Sequence, residues 1–264
     1  MRSRGYFLRA VELLRQKVNG TPTFGFKDPR VAKLLPFWVE VFKHCQLDVG
    51  YVLAVRHPLS VVKSLAKRDG LDAEKSYLLW LGHVIRSLVD SLEKKRVVVD
   101  YDLLMQSPDH ELDRMADRFD LSNDPEELQR YRTEFLDQGL RHTVYTLNDL
   151  SLDDACPPLV RDVYATLLDI ASDKVEIDSP EIQKKIESWA IEYKRLKTLL
   201  VLSDKLDVQN SDRKQAIALR DEQIANLNQA VAERDGQIVN LNQAVAERDG
   251  QIVNLNQAVA ERDG

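Results

Sequence analysis

Two short stretches of this chain gather residue types suited to holding an anion. One is Arg56-His57-Pro58-Leu59-Ser60-Val61-Val62-Lys63-Ser64; the other is Lys27-Asp28-Pro29-Arg30. Arg56 leaves an apolar run, Tyr51 to Val55, just where Pro58 turns the chain and can open a helix. Ser60 and Ser64 are four apart and so share a helix face. The first turn of that helix also carries backbone N–H groups with no intrahelical acceptor. A guanidinium, hydroxyls and a helix N-terminus together make a phosphate site. The plainer alternative is an arginine satisfied by a helix C-terminus and serines that face water. For the second stretch, the alternative is an Asp28–Arg30 or Asp28–Lys27 pair capping the helix that follows.

Other chemistry finds less support. His44, His57, His83, His110 and His142 show no metal-ligand spacing with cysteines or carboxylates, so no metal is expected. No Ser/His/Asp or Cys/His relay follows from the spacing. His57 stands beside Arg56, where it touches a bound anion or fills the turn. His83 belongs to a helix face. Lys67, Arg68 and Lys75 form a modest basic cluster, most simply a solvated face.

The elements that must position these residues read as an α/β unit. Residues 5–18 have apolar residues at helical spacing, and Asn19-Gly20 stops the helix. Residues 23–30 are predicted to be a short strand, 31–45 a helix and 48–58 a strand covered on both faces. Helices are predicted over 59–69 and 73–94, a buried strand over 96–101, and helices over 102–121, 124–136 and 158–172. Strands alternating with helices imply a parallel sheet with flanking helices, and ligands bind such sheets outside the carboxyl ends of the strands.

The segment YVLAVRHPLSVVKSLAKRDG resembles the 3′-phosphate-binding segment of sulfotransferases, which take 3′-phosphoadenosine 5′-phosphosulfate (PAPS) as donor. That segment has a hydrophobic strand, an Arg, a turn and a Ser eight residues after the Arg; Arg56 and Ser64 match the offset. GFKDPR resembles a strand-end Lys motif of the family, and Tyr101-Asp102-Leu103 with Pro108 matches its strand, Tyr-acid-Leu and Pro order. FLDQGLRH, residues 135–142, resembles a late motif of bacterial sulfotransferase-like proteins. The likeness covers roughly residues 5–145, by motif order.

This resemblance implies a P-loop-like sulfotransferase fold and transfer of a sulfuryl group from PAPS to a hydroxyl acceptor, by analogy a carbohydrate. Arg56 and Ser64, with Ser60 on the same helix face, would hold the donor's 3′-phosphate. Lys27 would stand near the sulfuryl or the leaving phosphate as a compact charge, and Arg141 would approach the donor. The family's early strand, 5′-phosphosulfate loop and helix have no counterpart here, so the sequence is expected to be an N-terminally truncated form with half a donor site and little catalysis. Two other expectations stand beside this one: a non-catalytic α/β remnant on an oligomerising stalk, and a kinase-like nucleotide-binding transferase.

The stalk is the clearest repeat in the sequence. Residues 223–236 read QIANLNQAVAERDG; 237–250 and 251–264 both read QIVNLNQAVAERDG, and a degenerate copy precedes them at 209–222. Fourteen residues are two heptads. Ile217, Ile224, Val231, Ile238, Val245, Ile252 and Val259 occupy position a. Position d alternates Leu227, Leu241 and Leu255 with Arg220, Arg234, Arg248 and Arg262. The spacing predicts a coiled coil, and β-branched a residues favour a parallel homodimer. Against it, every second d is charged and Gly236 and Gly250 sit on the outer face. The remaining alternative is a solvated spacer helix. The expected organisation is an α/β domain over 1–178, a connecting helix over 179–208 and the coiled coil over 209–264.

Composition limits the partners. Of 264 residues, 37 are Lys or Arg against 43 Asp or Glu, a net charge of −6, which argues against gripping nucleic acid through the overall field. No apolar stretch is long enough to span a membrane. Two cysteines are too few for a disulfide framework, and the expected setting is reducing and cytoplasmic.

Overall fold

The apolar runs Tyr51–Val55 and Arg96–Asp100 become β1 and β2. In the computed structural model, which describes residues 4–135 and 145–263, they pair in parallel, with Tyr51 opposite Arg96 and Val55 opposite Asp100. Among the described residues these two strands are the whole sheet. The rest is largely helix: α1 Arg4–Val18, α2 Val31–His44, α3 Pro58–Asp69, α4 Ala73–Asp90, α5 Tyr101–Gln106, α6 Pro108–Phe119, α7 Pro125–Arg130, α8 Leu147–Leu152, α9 Pro158–Ala171 and α10 Pro180–Asp263.

The two strands have different surroundings. Every residue of β2 is buried, with α6 and α9 packed on it. Its edge away from β1 is closed by two arginines of α6 set four residues apart. Arg118 Nε donates to the Arg96 carbonyl at 2.9 Å and Arg114 Nη1 to the Val98 carbonyl at 3.3 Å. These side chains do for the ladder what a further strand would do. On β1, by contrast, Val52 and Ala54 are exposed.

The main core is built from Tyr77, Leu81, Ile85 and Leu88 of α4, Val160, Val163 and Leu167 of α9, and Ile182, Ile186 and Trp189 at the start of α10, closed by Val55 and Val98 of the sheet. Most buried polar tips of this core have a partner, the exception among the described residues being the hydroxyl of fully buried Ser76 on α4. Tyr77 Oη donates to Asp153 Oδ2 at 2.7 Å and Trp189 Nε1 to Asp162 Oδ2 at 2.6 Å. Arg96, with no exposed surface, donates from Nη1 to the Leu88 carbonyl at 2.8 Å and from Nε to Asp178 Oδ1 at 3.1 Å. Arg118 meets the other oxygen of Asp178. A second, smaller cluster joins α1 to α2 through Val11, Leu14, Val41 and Phe42.

Several expected elements need correction. Residues 23–30 form no strand. Phe24 and Phe26 alternate as a strand would, but a strand also needs a ladder partner; here Phe26 packs on Trp38 at 5.4 Å and Phe42 at 6.4 Å, and the segment is a loop entering α2. The helix over 102–121 is broken into α5 and α6 at Ser107, because Pro108 has no N–H to continue the first helix and suits the first turn of the second. The helix over 124–136 becomes α7 and one π-helical turn, Tyr131–Phe135. The helix over 73–94 stops at Asp90, and Glu93 takes a left-handed φ of 60°.

The chain divides into two units, Met1–Leu200 and Val201–Gly264. The opening turns of α10 belong to the first, with Ile182, Ile186, Trp189 and Leu200 buried. In the second, every residue described from 204 to 259 is exposed. No helix of the described residues is long and apolar enough to cross a membrane. Cys45 and Cys156 are free thiols.

Candidate functional site

At the carboxyl end of each strand a polar side chain starts the next helix. His57 follows β1 and is the N-cap of α3: its Nδ1 accepts from the Leu59 N–H at 3.2 Å. Asp100 closes β2 and is the N-cap of α5: its Oδ1 accepts from Asp102 N–H at 2.9 Å and Leu103 N–H at 3.2 Å. Tyr164 of α9 joins the two caps. Its hydroxyl donates to Asp100 Oδ2 at 3.1 Å, and its ring meets the His57 ring edge-on at 4.8 Å. With Nδ1 accepting, His57 Nε2 carries the proton and donates it to the Thr146 carbonyl at 3.1 Å, which ties α3 to the start of α8.

All three side chains are almost fully buried. Burial holds the imidazole of His57 neutral by pushing its pKa below 6.5, although the Thr146 bond and the charges of Asp102 and Asp149 oppose this. Burial also raises Asp100, against the pull of its N–H and Tyr164 bonds, and raises the Tyr164 phenol. These groups use their polar atoms on one another and on the two helix starts. They form the scaffold of the carboxyl end of the sheet.

On the outside of this scaffold lies Arg56. Its carbonyl accepts from Trp80 Nε1 at 3.2 Å, which fixes the backbone as it leaves β1. Its side chain is exposed, with Cζ 4.8 Å from the centre of the Tyr101 ring at the start of α5. Among the described residues no carboxylate pairs with this guanidinium. Of the two serines on α3, Ser60 is buried and Ser64 is exposed. The first turn of α3 has little left for an anion, since Pro58 carries no N–H and the Leu59 N–H is taken by His57.

Lys27 belongs to a different neighbourhood. Phe26 beside it is seated on α2, and Asp28 is occupied with Arg30: the Arg30 N–H, Nε and Nη2 reach its carboxylate at 2.7, 3.0 and 2.6 Å. Those bonds, chiefly from the Arg30 side chain, hold Asp28 at about 2. The Asp28–Arg30 pair is therefore present, but it does not cap α2, whose N-cap makes no side-chain cap hydrogen bond. The Lys27 ammonium is exposed, with no ion pair among the described residues. Arg141 and the late motif beyond Phe135 lie outside the described residues.

Beside α3 is an open depression of about 720 Å³. Lys63, whose Nζ stands 4.9 Å from the Tyr145 ring centre, faces it together with Glu74, Asp149, Asp153 and Asp154. Four carboxylates against one ammonium make this a poor host for a phosphate or sulfate. Among the described residues no cluster of His, Cys, Asp and Glu is arranged to hold a metal.

Sequence reasoning overlooked Asp100 and Tyr164. Asp100 had a usable signal, an Asp at the end of an apolar run with a helical segment after it, which is an N-cap pattern. Tyr164 had none, since its partners lie 64 and 107 residues away in sequence. No family model, no curated protein and no solved structure matches this chain.

Proposed function

We propose that the chain binds the nucleotide sulfate donor PAPS at the carboxyl ends of β1 and β2 and serves transfer of its sulfuryl group to a hydroxyl acceptor, such as a sugar. One observation carries this: Arg56 is an exposed guanidinium at a parallel-strand tip, with no carboxylate partner among the described residues and with its backbone fixed by Trp80. An arginine held this way can meet a phosphate with two parallel N–H bonds. The Tyr101 ring beneath it restricts the fork without neutralising it. Ser64, exposed on α3, is the hydroxyl for the same 3′-phosphate.

In the reaction an acceptor oxygen forms a bond to sulfur as the bond from sulfur to the bridging phosphate oxygen breaks. 3′-Phosphoadenosine 5′-phosphate leaves, and the hydroxyl proton passes to solvent or a base. The protein's contribution is to place the partners and hold the charge. A second reading, donor binding without transfer, is favoured by His57 and Asp100: both spend their polar atoms on helix caps, Tyr164 and Thr146, so neither stands ready to take that proton.

Titration calorimetry of the full chain tests the site. 3′-Phosphoadenosine 5′-phosphate is expected to bind well above 5′-AMP and ATP, and Arg56→Ala to weaken it about ten- to a hundred-fold, the range for a lost charge-assisted pair. Equal affinity for 3′-phosphoadenosine 5′-phosphate and 5′-AMP, or an unchanged affinity in the variant, removes the proposal. A sulfuryl-transfer assay with labelled PAPS then separates transfer from binding alone.

A further inference from the structure

The repeat helix presents a regular pattern of charges that its own fold leaves unmatched. In each 14-residue copy an Arg at d is followed by an Asp at e: Arg220-Asp221, Arg234-Asp235 and Arg248-Asp249. Adjacent residues on a helix do not face one another; partners lie three or four away. At those distances the Arg side chains find Ala, Ile, Val or Gln, and the Asp side chains find Ile, Val or Ala. No ion pair involves these six residues among those described. The copy's other acid does have a local partner, since Gln229 donates to Glu233 at 3.2 Å and Gln243 to Glu247 at 3.4 Å.

The same face is apolar and uncovered. The a residues Ile217, Ile224, Val231, Ile238, Val245, Ile252 and Val259 are each more than half exposed, as are Leu227, Leu241 and Leu255 at d. We propose that the cover is a second copy of this chain, aligned parallel and in register, and that the Arg–Asp pairs are completed across the interface. In a parallel pair the hole that receives a d side chain is rimmed by the e residue of the facing helix. Each Arg at d therefore lies beside the other chain's Asp at e. Its long stem covers the a layers while the guanidinium reaches the rim. Each such layer holds two guanidiniums and two carboxylates and is neutral.

The alternation also fixes alignment. A slip of one heptad sets every Arg layer against a Leu layer. A slip of a whole repeat restores the pattern but leaves one copy at each end uncovered. The charged layers cost stability relative to Leu and in return select orientation and register, as single polar core residues do in other coiled coils. This pairing needs no donor site and stands apart from the proposal for Arg56.

Sedimentation equilibrium of the full chain at micromolar concentration is expected to give twice the 30.3 kDa chain mass; a mass of one or three chains overturns the proposal. Arg234→Asp with Arg248→Asp puts acid against acid and is expected to weaken the dimer about tenfold or more. Adding Asp235→Arg and Asp249→Arg reverses both altered pairs and should restore it. Failure to restore, with helix content unchanged by circular dichroism, rejects the Arg–Asp assignment. Val231→Cys and Val259→Cys, oxidised separately, are each expected to cross-link to themselves. Cross-links only when the two variants are mixed mean antiparallel chains and overturn it.

Discussion

Charges in residues 4–200 and charges in the repeat helix obey opposite rules. In the first region a buried charge is answered within the chain. Arg96 has Asp178, the Leu88 carbonyl and Ser91; Arg114 has Glu111, Asp173 and the Val98 carbonyl; Asp100 has two N–H groups and Tyr164. In the second, Arg220, Arg234 and Arg248 and the Asp after each have no ion pair among the described residues, and the apolar residues beside them are exposed. The first region has folded around its polar groups. The second is an exposed surface, which the proposed second copy would cover. Arg56 is not buried: it is an exposed guanidinium at a strand tip with no carboxylate partner among the described residues, and so a place to look for a ligand.

The contrast can be broken most forcefully at Arg96. Removing one partner of a buried pair leaves the rest uncompensated, so Arg96→Ala is expected to cost about 3–5 kcal/mol in denaturant unfolding. It empties the bonds to Leu88, Ser91 and Asp178 and unpins the start of β2 from the end of α4. Glu233→Ala on the exposed helix is expected to stay within about 0.5 kcal/mol. Similar costs for the two would mean that the buried network does not hold the core.

The glycines sharpen the same contrast, with opposite signs. A Cβ on Gly50 would stand 2.4 Å from two ring atoms of Phe119, so the backbone before β1 is close-packed against α6. Gly50→Ala is expected to cost about 1–3 kcal/mol through overpacking. Gly236 and Gly250 have nothing within 4 Å and lie inside a helix. Alanine at each is expected to stabilise that helix by about 1 kcal/mol, seen as a higher midpoint in the thermal loss of helical signal. A destabilising effect there would show that the outer face of the repeat is already covered.

How much of this was legible depended on how far apart in sequence the partners lie. β1, β2 and the heptads are written in local pattern: YVLAV, VVV and a 14-residue period. The start of α3 was marked by Pro58. The loop at 23–30 was misread because alternation is local, whereas membership of a sheet needs a second strand. Burial of Arg96 could not be seen, since its partners come from residues 88, 91, 177 and 178 and nothing near it in sequence announces them. At the candidate site the type and spacing of Arg56 and Ser64 were readable. Exposure of one serine and burial of the other were not, nor was the use of His57 as a cap.

His57 offers the smallest test, and its sign can be worked out. In the folded chain burial keeps the ring neutral below its ordinary 6.5, while in the unfolded chain it protonates there. As pH falls the unfolded state takes the proton first. The stability that neutral His57 contributes is then complete above about pH 6.5 and is lost as pH falls through the lowered folded value. His83, also lowered by burial and by Lys33, acts in the same direction. Asp100, raised by burial, acts in the other: its contribution declines as pH rises through its folded value. Urea midpoints followed from pH 7.5 to 5 should therefore fall toward acid. His57→Gln should flatten that fall, because glutamine does not charge; His83→Gln in parallel separates the second ring. A slope unchanged by His57→Gln would mean that the cap between β1 and α3 opens before it protonates, and that the carboxyl end of the sheet is not the rigid platform Arg56 requires.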